Sequence, residues 1–244
     1  MGIVCALTTE ARHLNPMLRR QTPPLASLSS LTSLADGTLL VVSGMGPDAA
    51  AAGARALIQA GATALASFGL AGGLDPTLAA GDICLPREVM AQHLPAIATA
   101  NRWRDRVGAA LVALVPQGQL IDGSLFSSAR VVASVADKAA LFGATGAQAV
   151  DMESFAVAEV ASTHRLPFLA LRVVVDRAID ELPRAVTAAA DSTGEIGLWR
   201  LLAALARSPA DLAPLLRLGR RYRAASQTLS AIARVGAWSQ LAFS

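Results

Sequence analysis

Short, nearly continuous apolar runs alternate along this chain with stretches of helical periodicity. Residues 2–7, 38–43, 64–68, 82–85, 119–122, 147–150 and 168–175 carry the strand signal. Residues 47–60, 103–115, 134–142 and 152–164 read as helices between them. Strands apolar on both faces need cover on both faces. The order β-α-β-α therefore predicts an α/β fold with a central, mostly parallel, twisted sheet flanked by helices. In such sheets ligands gather outside the carboxyl ends of the strands. Residues 21–33, rich in serine, threonine and proline, read as a loop or an edge excursion of the sheet.

From about Asp191 the strand signal stops and a helical pattern takes over, with Ser208, Pro209 and Asp211 as a helix start. The charge divides at the same place. Residues 198–244 hold seven arginines against Asp211, a balance of +6, which leaves −3 for residues 1–197 out of a total of +3. The chain is thus expected to comprise an α/β domain, 1–197, and a basic helical C-terminal extension, 198–244. In the extension Leu212, Leu215, Leu216, Leu229 and Ile232 form an apolar stripe broken near Gly219, beside Arg217, Arg220 and Arg221. Such a stripe suits either an anionic membrane surface or packing between subunits. With 4% aromatic residues and no basic block interleaved with aromatics, no nucleic-acid partner is expected.

At 53% hydrophobic and 16% charged the chain is globular. Its longest uncharged window, 56–74, is interrupted by Gln59, Gly61, Thr63, Ser67 and Gly69, and reads as helix, turn and strand. Cys5 and Cys84 sit in separate apolar runs, and His13, His93 and His164 are isolated, so neither a disulfide framework nor a metal site is expected. The start at Met1 lacks a basic leader pattern, and the expected location is cytoplasmic, with membrane-peripheral contact through the extension.

Four segments carry candidate chemistry. Thr8-Thr9-Glu10-Ala11-Arg12 follows the first strand, where the hydroxyls can cap a helix and Glu10 falls in its first turn. Ser43-Gly44-Met45-Gly46-Pro47-Asp48-Ala49 is a glycine turn that fits G-x-G-x-x-A, although the acidic residue a dinucleotide fold needs near Gly69 is missing. Phe68-Gly69-Leu70-Ala71-Gly72-Gly73 permits close approach to a ligand or another strand. In Val150-Asp151-Met152-Glu153-Ser154 two carboxylates two apart do different jobs, with Glu153 as the candidate ligand and Asp151 as a candidate helix cap. A fifth acid, Asp176, ends the most apolar run. Burial there favours its neutral form, as a general acid requires, unless Arg172 or Arg177 pairs with it.

In this order and spacing the segments resemble the nucleoside phosphorylase and nucleosidase family, with a core similar to methylthioadenosine/S-adenosylhomocysteine nucleosidases over about residues 2–190. Core plus arginine-rich tail look like the hopanoid-associated phosphorylases, which act on adenosylhopane. The resemblance implies cleavage of a purine nucleoside with release of adenine, no cofactor beyond inorganic phosphate as co-substrate, and a homo-oligomer, dimer or hexamer. It implies Asp176 as the acid at purine N7 and Glu153 as acceptor of the ribose hydroxyls. Met152 would pack on the sugar, Phe126 would stack on the base, and Gly46, Ala71, Gly72 and Val175 would line the substrate. Glu10 falls where the nucleosidases keep the carboxylate that activates water. That placement conflicts with phosphate, since a carboxylate about 4 Å from a phosphate charge costs roughly 4 kcal/mol at an effective dielectric near 20. Thr8, Thr9, the Gly46 N–H and Arg12 are the donors available to compensate, and phosphorolysis is the expected reaction, with hydrolysis as the alternative. Leu70 and Val175 replace hydroxyl residues of the nucleosidase pattern. They leave open a silent nucleoside-binding or membrane-surface scaffold, and a nicotinamide-dependent oxidoreductase is a third reading.

Overall fold

The structure, a computed structural model, describes residues 1–18, 31–114, 119–181 and 212–234. Four parallel strands make its centre: β1 (Gly2–Cys5) lies between β3 (Leu39–Val42) and β4 (Leu65–Gly73), and β4 lies between β1 and β11 (Phe168–Asp176). Side chains alternate between two apolar layers, as the period of a strand demands. Val4, Val41, Ala170 and Val174 face one layer, and Ile3, Cys5, Leu40, Leu169, Leu171 and Val173 the other. Both layers are covered, which is why these strands read as continuous apolar runs.

The sheet forks at β4. Gly72, still opposite Asp176 of β11, and Gly73, which has left β11, pair antiparallel with β10 (Ala149–Asp151). β10 continues in parallel to β9 (Ser124–Ser127), β9 to β6 (Glu88–Ala91), and β6 ends antiparallel to β7 (Ile97–Ala98). β11 continues on the other branch to β5 (Ile83–Cys84), which pairs with β8 (Leu120–Ile121). β2 (Thr32–Ser33) borders β3. Six of the ten pairings are parallel, so the mostly parallel sheet is borne out. A side chain at Gly73 would come to 3.1 Å from the Asp176 carbonyl, so the fork needs glycine there. The glycine segment is thus the end of a nine-residue strand, and the close approach it permits is to another strand. The apolar-run reading misses β2, β6, β7 and β9, which are two to four residues long.

Helices α1 (Thr8–Leu14), α2 (Pro47–Gln59), α3 (Asn101–Leu114), α4 (Val135–Thr145) and α5 (Ser154–Thr163) surround the sheet. α2 opens with proline at its start, where the missing N–H costs nothing, and its small inner residues Ala50, Gly53 and Ala54 let it approach α5. In α1 the N-cap is Leu7, not a hydroxyl. Glu10 caps instead, accepting the Leu7 N–H at 3.0 Å.

The last described element, α6 (Leu212–Arg234), runs unbroken through Gly219 and packs on β11, α1 and α3. Ala225, Leu229 and Ile232 are buried in the same layer as Ile3 and Val173. Part of the stripe expected to face a membrane or subunit therefore faces this chain's own core. Burial of a leucine or isoleucine is worth about 1.5–3 kcal/mol, so α6 is a stabilising layer. Most of the 21–33 loop and the Ser208-Pro209 helix start lie outside the described residues.

Candidate active site

The strand register lines up one row across the forked sheet: Asp176 opposite Gly72, Gly72 opposite Val150, Val150 opposite Phe126, and Phe126 opposite Met90. The row depends on a bulge in β11. Val174 pairs with Ala71, the register then slips, and Asp176 rather than Val175 stands opposite Gly72. Bulges are a common device for re-aiming a side chain beside a site. Gly72 also admits the acid closely, since a Cβ there would lie 3.4 Å from Asp176 Oδ1.

Beside the row lie two more acids, at the carboxyl ends of β1 and β10. Glu10, 3% exposed, accepts the Leu7 N–H at 3.0 Å and, across the sheet, the Leu70 N–H at 2.8 Å. Burial raises its pKa above the ordinary glutamate value, and the Arg172 guanidinium and these amides oppose the rise. Glu153, 5% exposed, accepts the Gly46 N–H at 2.9 Å and stands 3.6 Å from Arg172 Nη2. Burial pushes Glu153 up to about 7, with Arg172 pulling down and Asp151 pushing up.

Arg172 is the hub of this cluster, and sequence reasoning assigned it only as a partner for Asp176. Its Nη2 lies 2.8 Å from Asp151 Oδ2 and donates to Ser67 Oγ at 2.7 Å, while Nε reaches Ser154 Oγ at 3.2 Å. Nη1 is buried without a hydrogen-bond partner among the described residues. A Cβ on Gly69 would stand 2.5 Å from this Nη1 and 2.4 Å from Glu10 Oε1, so glycine is what lets guanidinium and carboxylate share that space. Asp151 is both cap and ion-pair partner: it accepts the Ser154 N–H at 3.1 Å and the Ser127 hydroxyl as well as holding Arg172.

Asp176, 4% exposed, pairs with neither Arg172 nor Arg177. Its Oδ2 is held by Lys138 of α4, which also donates to the carbonyls of Arg177 at 2.9 Å and Asp180 at 3.0 Å. Arg177 turns to Asp180, and so does Arg221 of α6, at 2.8 Å. Burial raises the Asp176 pKa, opposed first by Lys138. Sequence reasoning missed Lys138, yet the signal was available: it is the chain's one lysine among 21 basic residues.

The remaining expected site residues separate. Met152 follows β10 and Phe126 stands in the row, packed with Leu74 and Val150. Ala71 is buried in β4 and Gly72 beside it is half-buried. The donors expected for phosphate are not assembled. Arg12 Nε is turned to the Leu18 carbonyl at 2.9 Å, the Gly46 N–H is taken by Glu153, Thr9 is exposed, and Thr8 is half-buried at the start of α1. The same Gly46 contact argues against the dinucleotide turn, because the amide a pyrophosphate would need already serves a carboxylate. Leu70 and Val175 pack against the layer shared by α3 and α6. Among the described residues no group of three histidines, cysteines or acids could hold a metal ion.

The family model of the phosphorylase superfamily matches residues 1–203. The chain belongs to that superfamily and is an enzyme acting at N-glycosidic bonds. This membership displaces the silent-scaffold and oxidoreductase readings. Among solved structures, the 5′-methylthioadenosine/S-adenosylhomocysteine nucleosidase of Helicobacter pylori with butyl-thio-DADMe-Immucillin-A superposes at TM-score 0.66 and 15% identity, over 95% of this chain and 96% of that one. The corresponding nucleosidase of Neisseria meningitidis, in complex with methylthio-immucillin-A, gives 0.64 at 20% identity, over 95% and 96%. The futalosine hydrolase of Helicobacter pylori gives 0.64 at 17% identity, over 95% of both chains. These likenesses are of fold.

Proposed function

We propose that this enzyme cleaves the N-glycosidic bond of a purine nucleoside and releases adenine. The observation that carries the reading is the set of three buried carboxyls along β4: Glu10 and Glu153 beside Arg172, and Asp176 opposite Gly72. Departure of the base leaves a cationic, oxocarbenium-like ribose. Asp176, its neutral form favoured by burial, protonates purine N7, a step typically worth about 10²–10⁴-fold. Glu153 accepts the ribose hydroxyls and lends negative charge to the developing cation, with Met152 against the sugar and Phe126 against the base.

For the nucleophile, the arrangement of donors favours water activated by Glu10. Arg172 already faces Asp151 and Glu153 at close range, with Glu10 beside it, and the Gly46 and Arg12 donors are engaged elsewhere. Phosphorolysis is the second reading, favoured by the unpartnered Arg172 Nη1, since a guanidinium suits phosphate. For the 5′ substituent the reading is an apolar group, adenosylhopane. Its support is the resemblance of core and basic tail to hopanoid-associated phosphorylases. The same resemblance supports a homo-oligomer, and the exposed Arg217 and Arg220 of α6 support contact with an anionic membrane surface.

Chromatography of products from adenosine and from adenosine with an apolar 5′ group, with and without inorganic phosphate, tests the reading. Adenine and free sugar in both buffers is the expected result. Adenine with a sugar 1-phosphate, formed only when phosphate is present, replaces water by phosphate and leaves Glu10 a positioning role. No adenine from either substrate overturns the assignment.

A further inference from the structure

Lys138 has no exposed surface, and it is a lone lysine in a chain that uses arginine at every other basic position. The choice of residue follows from what surrounds the ammonium. Asp176 Oδ2 and the carbonyls of Arg177 and Asp180 converge on one nitrogen, and its three donors match those three acceptors. A planar guanidinium spreads its donors over a fork and cannot satisfy three oxygens gathered around one point. Burying the ion is expensive unless it is paired, and the apolar layers have no need of a charge here. The contact instead fixes one oxygen of an acid in the catalytic row.

We propose that Lys138 is a positioning residue for the reaction: with the whole carboxyl lying against the bare Cα of Gly72, it holds Asp176 Oδ2 and so leaves Oδ1 for the departing base. The inference rests on the reading of Asp176 as the proton donor. Among the described residues no hydrogen bond reaches Oδ1. In the step itself the carboxyl proton passes to N7 and the electron pair of the C1′–N9 bond leaves with the base. The carboxylate that remains stays in contact with the ammonium. Lys138 opposes the upward shift that burial imposes on Asp176, so the acid releases its proton more readily. Val175 carries no hydroxyl to orient the acid, and Lys138 supplies that orientation from a different element.

Two leaving groups test this, because adenine needs a proton to depart and p-nitrophenolate, from p-nitrophenyl riboside, does not. Lys138→Met is expected to lower kcat for adenine release by about 10–100-fold, with KM and p-nitrophenolate release changed by less than about threefold. Its kcat–pH profile for adenine should extend to higher pH, since the acid loses its cation. Lys138→Arg, which keeps the charge but not the geometry, should leave that limb in place and still lose adenine release selectively. Equal losses on both substrates with an unmoved limb would reduce Lys138 to a structural role and overturn the proposal. If Lys138→Met does not fold, Lys138→Arg decides by the ratio of the two substrates. The wild type labelled with 15N-lysine gives an independent readout through its single side-chain signal. That signal should follow the titration of Asp176 and lose the step in Asp176→Asn; indifference to Asp176→Asn overturns the pairing. Asp176→Asn also separates the two layers of the argument. If it releases adenine at the wild-type rate, the acid assignment fails and this inference with it. If it is inactive while both Lys138 variants behave as wild type, only the role of Lys138 fails.

Discussion

Arg172 Nη2 stands 2.8 Å from Asp151 Oδ2, and both side chains are withdrawn from solvent. Asp151 accepts further hydrogen bonds from Ser127 and Ser154, so the pair belongs to a buried network rather than being an isolated ion contact. Removing one partner of such a pair leaves an uncompensated buried charge. Arg172→Met should therefore cost about 3–5 kcal/mol in urea unfolding at neutral pH. The cost should shrink in acid, where the stranded carboxylates take up protons. A loss below about 1 kcal/mol at neutral pH would show that the pair contributes little more than an exposed one.

Glu153 makes stability depend on pH in a defined window. Its pKa rises from 4.5 to about 7 on folding, so between these values the native state binds more protons than the unfolded state. Stability then falls as pH rises through that window, by about 3 kcal/mol for a shift of this size acting alone. Glu153→Gln retains an acceptor for the Gly46 N–H and should flatten the profile. Wild-type and variant unfolding free energies measured from pH 4 to 8 give the comparison, and parallel curves would refute the assignment.

Gly69 is a sensitive point for activity because its missing side chain is the space that Glu10 Oε1 and Arg172 Nη1 occupy. Both are ends of flexible side chains, so Gly69→Ala should fold, at a cost of about 1–3 kcal/mol, and displace them. A shift of the order of 1 Å in a catalytic carboxylate can cost about 100-fold. The expected outcome is a kcat loss well beyond the change in KM, with wild-type circular dichroism. An active Gly69→Ala would place the nucleophile away from Glu10.

Where a local pattern carried the information, the sequence was readable. The four central strands are apolar on both faces and stood out as runs, and Glu10, Glu153 and Asp176 each follow or end such a run. What escaped depends on contacts between distant segments. The fork at Gly72 and Gly73 is a pairing with β10, and the bulge that brings Asp176 opposite Gly72 exists only in the register of β11 on β4. Arg172 looked like a partner for Asp176 four residues on, but the strand aims it at Ser67, Asp151 and Glu153. Lys138 sits in an ordinary helical stretch, and its role comes from a contact 38 residues away. α6 looked like an appendage because the layer it covers is drawn from β strands far earlier in the chain.

That last point decides how membrane contact has to be tested. Deleting residues 208–244 would remove the cover from a layer that includes Ala225, Leu229 and Ile232, so the truncated chain is expected to unfold, and its liposome binding would say nothing about charge. Arg217 and Arg220 are exposed on α6, whereas Arg221 is tied to Asp180. Replacing the two exposed arginines by glutamate leaves the buried face intact. Each arginine near an anionic surface is worth about 1 kcal/mol, so Arg217→Glu with Arg220→Glu should weaken co-sedimentation with phosphatidylserine vesicles by at least about tenfold at low salt. Adenine release in solution and the melting temperature should stay at wild-type values. Vesicle binding that is unchanged by the double substitution would assign this face of α6 no part in membrane contact.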